Sequence, residues 1–204
     1  MLALLIKIDK TSRNKSKYER VETHFHMKNE DRAIRLVSAH EPTPADLAVV
    51  LKELGAGDSR FKGTTFGRGE CDLQTFLQEC RDAEDDGKIS ADKVPQSTFW
   101  LVNDCNKVVG IVRVRHRLNE NLLQYGGNIG YYIHPSERGK GYGKKALQLA
   151  LGRLRELGAS RALLTVHPLN TTSARIVLAN GGVPDGRGKD PFSEEIADRY
   201  WIEL

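Results

Sequence analysis

Apolar positions change their spacing from segment to segment along this chain, and each change marks an element. Residues 33 to 39, AIRLVSA, alternate well enough to predict a first strand. In TPADLAVVLKELG the spacing becomes helical, with Leu47, Val50, Leu51 and Leu54 forming a buried stripe. Thr43 is placed to cap this helix, Pro44 suits its first position, Asp46 its first turn and Gly55 its end. A loop holding Gly55, Gly57, Gly63, Gly67 and Gly69 leads to a second helix from about Asp72. Its stripe is Leu73, Phe76, Leu77 and Cys80, and Gly87 follows its acidic end. Asp82, Glu84, Asp85 and Asp86 there read as a solvated face.

The period then falls to two. STFWLV, a turn NDCNK and VVGIVRVRHRL predict a hairpin. Alternation puts Val112, Val114, His116 and Leu118 on one side of its second strand and Arg113, Arg115 and Arg117 on the other. That arginine row reads as the wet face of a strand or as a recruiter of an acidic substrate. GGNIGYYI, residues 126 to 133, predicts a further strand. A helix follows with Leu147, Ala150, Leu151 and Leu154 at helical spacing and Gly158 at its end. RALLTV reads as a strand, NTTSARIVLANGG as a capped short helix and RYWIEL as a closing strand. This order predicts one mixed α/β (α+β) domain over residues 33–204. Residues 1–32 are polar and aperiodic beyond the first few positions, and predict a flexible or loosely packed N-terminal extension. A start at Met27 would remove most of it, and His24 and His26 upon it read as solvated rather than metal-binding.

Composition narrows the function classes. With 39% hydrophobic and 28% charged residues, the 204-residue chain matches a globular protein with a proper core. Thirty-one Lys and Arg against 27 Asp and Glu leave +4, too mild to argue for nucleic acid. A basic arm serving nucleic acid is therefore a weak rival reading. Cys71, Cys80 and Cys105 form no CxxC pair, so reduced thiols are expected, with neither disulfide nor metal. The apolar run of MLALLIKIDK is too short for a membrane span and lacks the flanks of a signal peptide, which predicts a cytoplasmic protein.

Candidate chemistry concentrates in HPSERGKGYGKKALQLAL, where Arg138, Gly139, Lys140, Gly141, Tyr142, Gly143, Lys144 and Lys145 crowd a strand-to-helix turn. A Walker A loop fails, because Lys145 follows Gly143-Lys144 and Arg138 stands where its first glycine belongs. A dinucleotide fingerprint is weak, because the next strand ends Val166-His167-Pro168 with no acidic residue. Arg138-x-x-Gly141-x-Gly143 opening a helix fits a pyrophosphate cradle, since glycines let backbone N–H groups approach an anion. An ordinary glycine-rich connection with solvent-facing lysines fits the same residues.

NIGYYIHPSERGKGYGKKALQLAL, followed a strand later by NTTSARIVLANGG, resembles the GNAT superfamily of acetyl-CoA-dependent N-acetyltransferases. The specific match runs from about Asn128 to Val183, and the element order over residues 33–204 is compatible. The resemblance implies a mixed, mostly antiparallel sheet flanked by helices, parted at one end to admit acetyl-CoA. It implies backbone from Tyr132 and Ile133 for the pantetheine arm and a pyrophosphate cradle from Arg138, Gly139, Lys140, Gly141, Tyr142, Gly143 and Lys144. It also places Asn170 and Ser173 beside the cofactor, although Asn170 would cap its helix in any case. The partners implied are acetyl-CoA and an amine acceptor, with self-association as a homodimer compatible.

The family's usual acid and base are missing. Ile176-Val177-Leu178 stands where many members carry a tyrosine, and Asn128-Ile129-Gly130-Tyr131 where others carry a glutamate. Expected substitutes are His116 or Glu120 as base, with Tyr125, Tyr131 or Ser173 as proton donor to the thiolate. A domain that binds the cofactor without catalysis is the rival from another class.

Overall fold

The computed structural model describes residues 33–58 and 61–204. Expectations about residues 1–32, with His24, His26 and Met27, lie outside the described residues. Strand β1 (Ile34–Ser38) is followed by α1 (Leu47–Leu54), a small ribbon of β2 (Gly57–Asp58) and β3 (Phe61–Lys62), and α2 (Leu73–Asp82). Next come β4 (Gln96–Asn103), β5 (Val108–Arg115), α3 (Glu120–Gln124) and β6 (Ile129–Ile133). The chain closes with α4 (Tyr142–Glu156), β7 (Arg161–Val166), α5 (Thr171–Leu178), β8 (Val183–Lys189) and β9 (Ile196–Glu203).

Two antiparallel sheets result, one ordered β1-β4-β5-β6 and one ordered β7-β9-β8. Both faces of the first are buried. Val37, Trp100, Ile111 and Tyr132 meet the apolar stripes of α1 and α2 on one face. Leu36, Leu101, Val112, Val114 and Ile129 meet Ala146, Leu147, Ala150 and Leu154 of α4 on the other, and Leu164 and Ile202 extend that core under the second sheet. This is the mixed, mostly antiparallel architecture expected from the sequence.

Local differences have physical causes. Helix α1 is preceded by Asp46 rather than Thr43: Leu47 N donates to Pro44 O at 3.1 Å, which makes Thr43 and Pro44 part of a preceding turn. The Asp46 carboxylate accepts from Val108 N at 3.0 Å, tying the helix start to β5 instead of capping it. Helix α2 keeps the expected start, with the Asp72 side chain accepting from Thr75 N at 2.8 Å. The connection after β5 contains α3, capped by Asn119 through Leu122 N at 3.0 Å. Strand β8 escaped notice because VPDGRGK does not alternate; only Gly188 in it is buried.

Candidate active site

The site begins at one buried amide. Asn128, 4% exposed, stands just before β6, with its backbone N donating to Leu163 O at 2.7 Å and its Oδ1 accepting from Leu163 N at 2.8 Å. Its Nδ2 donates to Arg115 O at 3.3 Å, while Arg115 N donates to Asn128 O at 2.8 Å. One side chain therefore substitutes for a rung of ladder and joins the two sheets, beside a bond from Gly126 N to Thr165 Oγ1 at 3.1 Å. Beyond it, β6 and β7 share no ladder and part. The position where the family resemblance looked for a glutamate base is thus a structural clasp, and an amide suits it because it donates and accepts at once. Gly127, at φ 62°, packs against the Leu163 backbone so closely that no side chain would fit.

The parted edge of β6 has a definite polarity. His134 N donates to Val109 O at 3.0 Å, and antiparallel alternation then turns the peptide groups of Gly130 and Tyr132 towards β5. Tyr131 and Ile133 face the gap. Of the expected pair Tyr132 and Ile133, Tyr132 turns its peptide groups to β5 and Ile133 faces the gap beside Tyr131. Tyr132 instead packs its ring 6.0 Å from Phe61 in the core beneath α1 and α2.

At the end of the gap the glycine run makes a cradle. Gly139 and Gly141 take positive φ of 76° and 83°, a region that disfavours side chains, and Gly141 caps α4. The first turn of a helix directs its N–H groups outward, here those of Tyr142, Gly143 and Lys144. Gly143 lies against α5 and β6; a Cβ there would sit 2.9 Å from Ile176 Cδ1. The Tyr142 side chain is buried in the core, so only its backbone can serve an anion.

The cations of the run divide. Arg138 donates from Nε to Ile133 O at 3.0 Å and forms an ion pair with Asp58, which turns its side chain back across β6. Lys140 joins Lys107 on the carboxylate of Glu137, at 2.9 and 3.0 Å. Burial pushes the Glu137 pKa up, but the hydrogen bonds from the two lysines outweigh it and hold it below the ordinary glutamate value. Lys144 remains exposed on the first turn of α4.

Between the strands, the Tyr131 hydroxyl and Ser173 Oγ lie 3.4 Å apart. Burial raises the Tyr131 pKa, with the Ser173 contact partly opposing it, so the phenol is a proton donor at neutral pH. Asn170 caps α5 through Ser173 N at 3.0 Å, which orients the helix start that carries Ser173. These residues share a cleft of about 340 Å³ with Phe61, Lys62, Arg113, Arg115, Tyr125 and His167. The loop between β8 and β9 closes its far side with Asp190, Pro191 and Phe192.

His116 and Glu120 fall outside the lining of this cleft. The chain leaves β5 at Arg115, and the His116 ring turns to Ser97 Oγ at 2.9 Å. Burial lowers its pKa. Glu120 is exposed at the start of α3. Tyr125 does reach the cleft, with its hydroxyl donating to Glu195 at 2.7 Å.

The arginine row is not a wet face. Arg113 is half-buried, stacked 4.4 Å over the Phe61 ring, and donates to the carbonyls of Lys62 and Gly63 at 2.9 and 3.2 Å. Arg115 donates to the carbonyls of Gly126 and Gly127 at 3.1 and 2.9 Å. Arg117 alone is surface-exposed, paired with Asp86. Sequence reasoning missed Phe61, His167 and Asp190; the only hint was that His167 directly follows β7, at the mouth of the parted strands.

A sheet parted at one clasp, a glycine-lined helix start at the end of the gap and a buried hydroxyl pair within it define an acyl-CoA-dependent transferase fold. The chain belongs to the acetyltransferase (GNAT) family, whose match covers residues 66–178. No curated protein matches the sequence. Among solved structures it is similar to a ribosomal-protein-S5-alanine acetyltransferase from Vibrio fischeri, at 18% identity and TM-score 0.57, covering 88% of this chain and 95% of that one. It is also similar to yncA from Salmonella typhimurium, solved with its cofactor acetyl-CoA, at 16% identity and TM-score 0.56, covering 85% and 94%. A spermidine/spermine N-acetyltransferase from Vibrio cholerae aligns at 16% identity and TM-score 0.55, covering 86% and 94%. At such identities these likenesses concern the fold. Among the described residues no helix is long and apolar enough to cross a membrane.

Proposed function

We propose that the protein moves the acetyl group of acetyl-CoA directly to a primary amine in the cytoplasm, with residues 33–204 as the acting unit. The observation that carries this reading is the edge of β6 at Tyr131 and Ile133, which pairs with no strand among the described residues and opens between the α4 cradle and the Tyr131–Ser173 pair, with the Ile133 carbonyl held by Arg138. The cradle suits a pyrophosphate through backbone N–H groups, with Lys144 adding charge. Tyr131 and Ile133 suit the amides of a pantetheine arm, as a strand edge suits an added strand.

The transfer needs a neutral amine, a polarised carbonyl and a proton for the departing sulfur. The amine nitrogen attacks the thioester carbon, the C–S bond breaks, and the Tyr131 hydroxyl gives its proton to the thiolate. Ser173 Oγ is within reach to relay a proton from water back to the phenolate, and the new ammonium loses its proton to water in the open cleft. A lysine-like amine costs roughly 4–5 kcal/mol to neutralise at pH 7, an α-amino group about 1 kcal/mol. A weaker amine lowers that cost, and a stronger one needs a base to meet it. Cys71, Cys80 and Cys105 lie outside its lining, which favours direct transfer over an acyl-cysteine route.

Release of free CoA thiol over a panel of amines tests this reading, with acetyl-CoA binding measured alongside by calorimetry. Binding together with turnover of at least one amine is expected. Binding without turnover of any amine or peptide would instead make the domain a non-catalytic CoA-binding module, and no binding would overturn the site.

A further inference from the structure

Among the described residues, two cations in the cleft form no ion pair with an acidic side chain. Arg113 and Arg115 stand two positions apart on β5, on the face turned to α1 and α2, and both line the cleft that holds Tyr131 and Ser173. Each guanidinium carries five donors in a planar fork. The hydrogen bonds they make go to backbone carbonyls of Lys62, Gly63, Gly126 and Gly127. Among the described residues no carboxylate forms an ion pair with either. Burial lowers the pKa of both, and for Arg113 the like charge of Arg115 adds to that effect. Removing a charge from water without a counter-ion is costly, and an anion entering the cleft would repay that cost.

The remaining charges of the cleft point the same way. Lys62 adds a third cation to its lining. The acidic residue of the lining is Asp190, whose Oδ1 accepts from Phe192 N at 2.9 Å within its own loop. The carbonyl contacts hold both guanidinium planes in place, and the Phe61 ring backs that of Arg113, so little side-chain freedom is left to lose on binding. Gly130, paired with Arg113 across the ladder, contributes no side chain to the space beside Phe61.

We propose that the acceptor is a small primary amine that also carries a carboxylate, which Arg113 and Arg115 bind while its amino group faces the thioester beside Tyr131. This assignment rests on the transferase reading above and adds the acceptor's chemical class. A fork of guanidinium donors matches a carboxylate in pairs, and a cleft of about 340 Å³ shared with the thioester suits a small molecule. Polyamines such as spermidine, the acceptor named for one structural neighbour, carry the opposite charge and are disfavoured here.

The test uses the full chain and a panel of primary amines in matched pairs. Each proteinogenic α-amino acid, together with 4-aminobutyrate, is set against its amide and its decarboxylated amine, with spermidine and aminoethyl phosphate added. Acetyl-CoA binding is measured separately by calorimetry. For the best acid, kcat/KM should exceed that of its carboxylate-free partners by roughly 100-fold, about 2.7 kcal/mol at 1.36 kcal/mol per decade. R113Q and R115Q should erase most of that ratio by raising KM for the acid, while acetyl-CoA affinity stays within about twofold as a check on folding. R113K, which keeps charge but loses the fork, should fall between. Equal or better turnover of amides, decarboxylated amines or spermidine would overturn the assignment while leaving the transferase reading intact. Preference for aminoethyl phosphate would overturn the carboxylate. Acetyl-CoA binding without turnover of any amine would overturn both readings.

Discussion

The phenol of Tyr131 has the proton the reaction requires and the burial that keeps it there. Tyr131→Phe should lower kcat by roughly 100-fold or more, the usual worth of a general acid, with acetyl-CoA affinity unchanged. A kcat within a few-fold of wild type would move the donor role to Ser173 or Tyr125. His116 makes the contrasting case. Lying outside the cleft, it should leave the pH–rate profile unaltered when replaced by alanine. Its effect belongs to stability. Burial lowers its folded pKa, so between that value and the ordinary ~6.5 the unfolded chain binds more protons, and stability falls as the pH drops from about 6.5. His116→Gln should show a smaller drop in melting temperature between pH 7.5 and 5.5 than the wild type does. At this scale the sequence was a partial guide. Tyr131 and Ser173 were both legible as hydroxyls near the motifs, yet their meeting across 42 positions was not. His116 shared the alternation of Val112 and Val114, but the strand ends before it, so alternation no longer sets its direction.

Helix α4 shows how an element delivers a site. Its apolar spacing, its glycines and its cations are all local, so its position could be read directly from residues 134–158 and its proposed role as an anion cradle starts from the same residues. Which cations would serve was not legible, because Asp58 on β2 takes Arg138 and Glu137 takes Lys140. Gly141 tests the cradle. At φ 83° a branched side chain is strained by roughly 1–2 kcal/mol, and it would also crowd the approach of a phosphate. Gly141→Val should therefore weaken acetyl-CoA binding at least tenfold by calorimetry, and unchanged affinity would sink the cradle. Strand β8 shows the opposite limit. Its exposed, glycine- and proline-bearing sequence carries no period, and it is a strand because β9 offers it a partner.

For the whole molecule, the decisive arrangement is two sheets held together by Asn128 and parted beyond it. Asn128→Ala would leave Leu163 N without its side-chain partner and remove the donor to Arg115 O. A loss of about 2–4 kcal/mol is expected from two such groups, measured by urea unfolding, with a larger fall in acetyl-CoA affinity than the stability change alone would give. A loss below about 0.5 kcal/mol would mean that packing, not the clasp, sets the gap. The sequence by itself determined most of the succession of helices and strands and the mixed α/β class, and it points to the proposed donor cradle, because each depends on residues within one or two turns of each other. Tertiary structure alone decided that Asn128 joins rather than catalyses, that Tyr131 meets Ser173, and that Arg113 and Arg115 line a cleft instead of facing water. Those outcomes depend on which strand edges pair and which part, and on how much water the packed helices exclude, and no local pattern of residues records either.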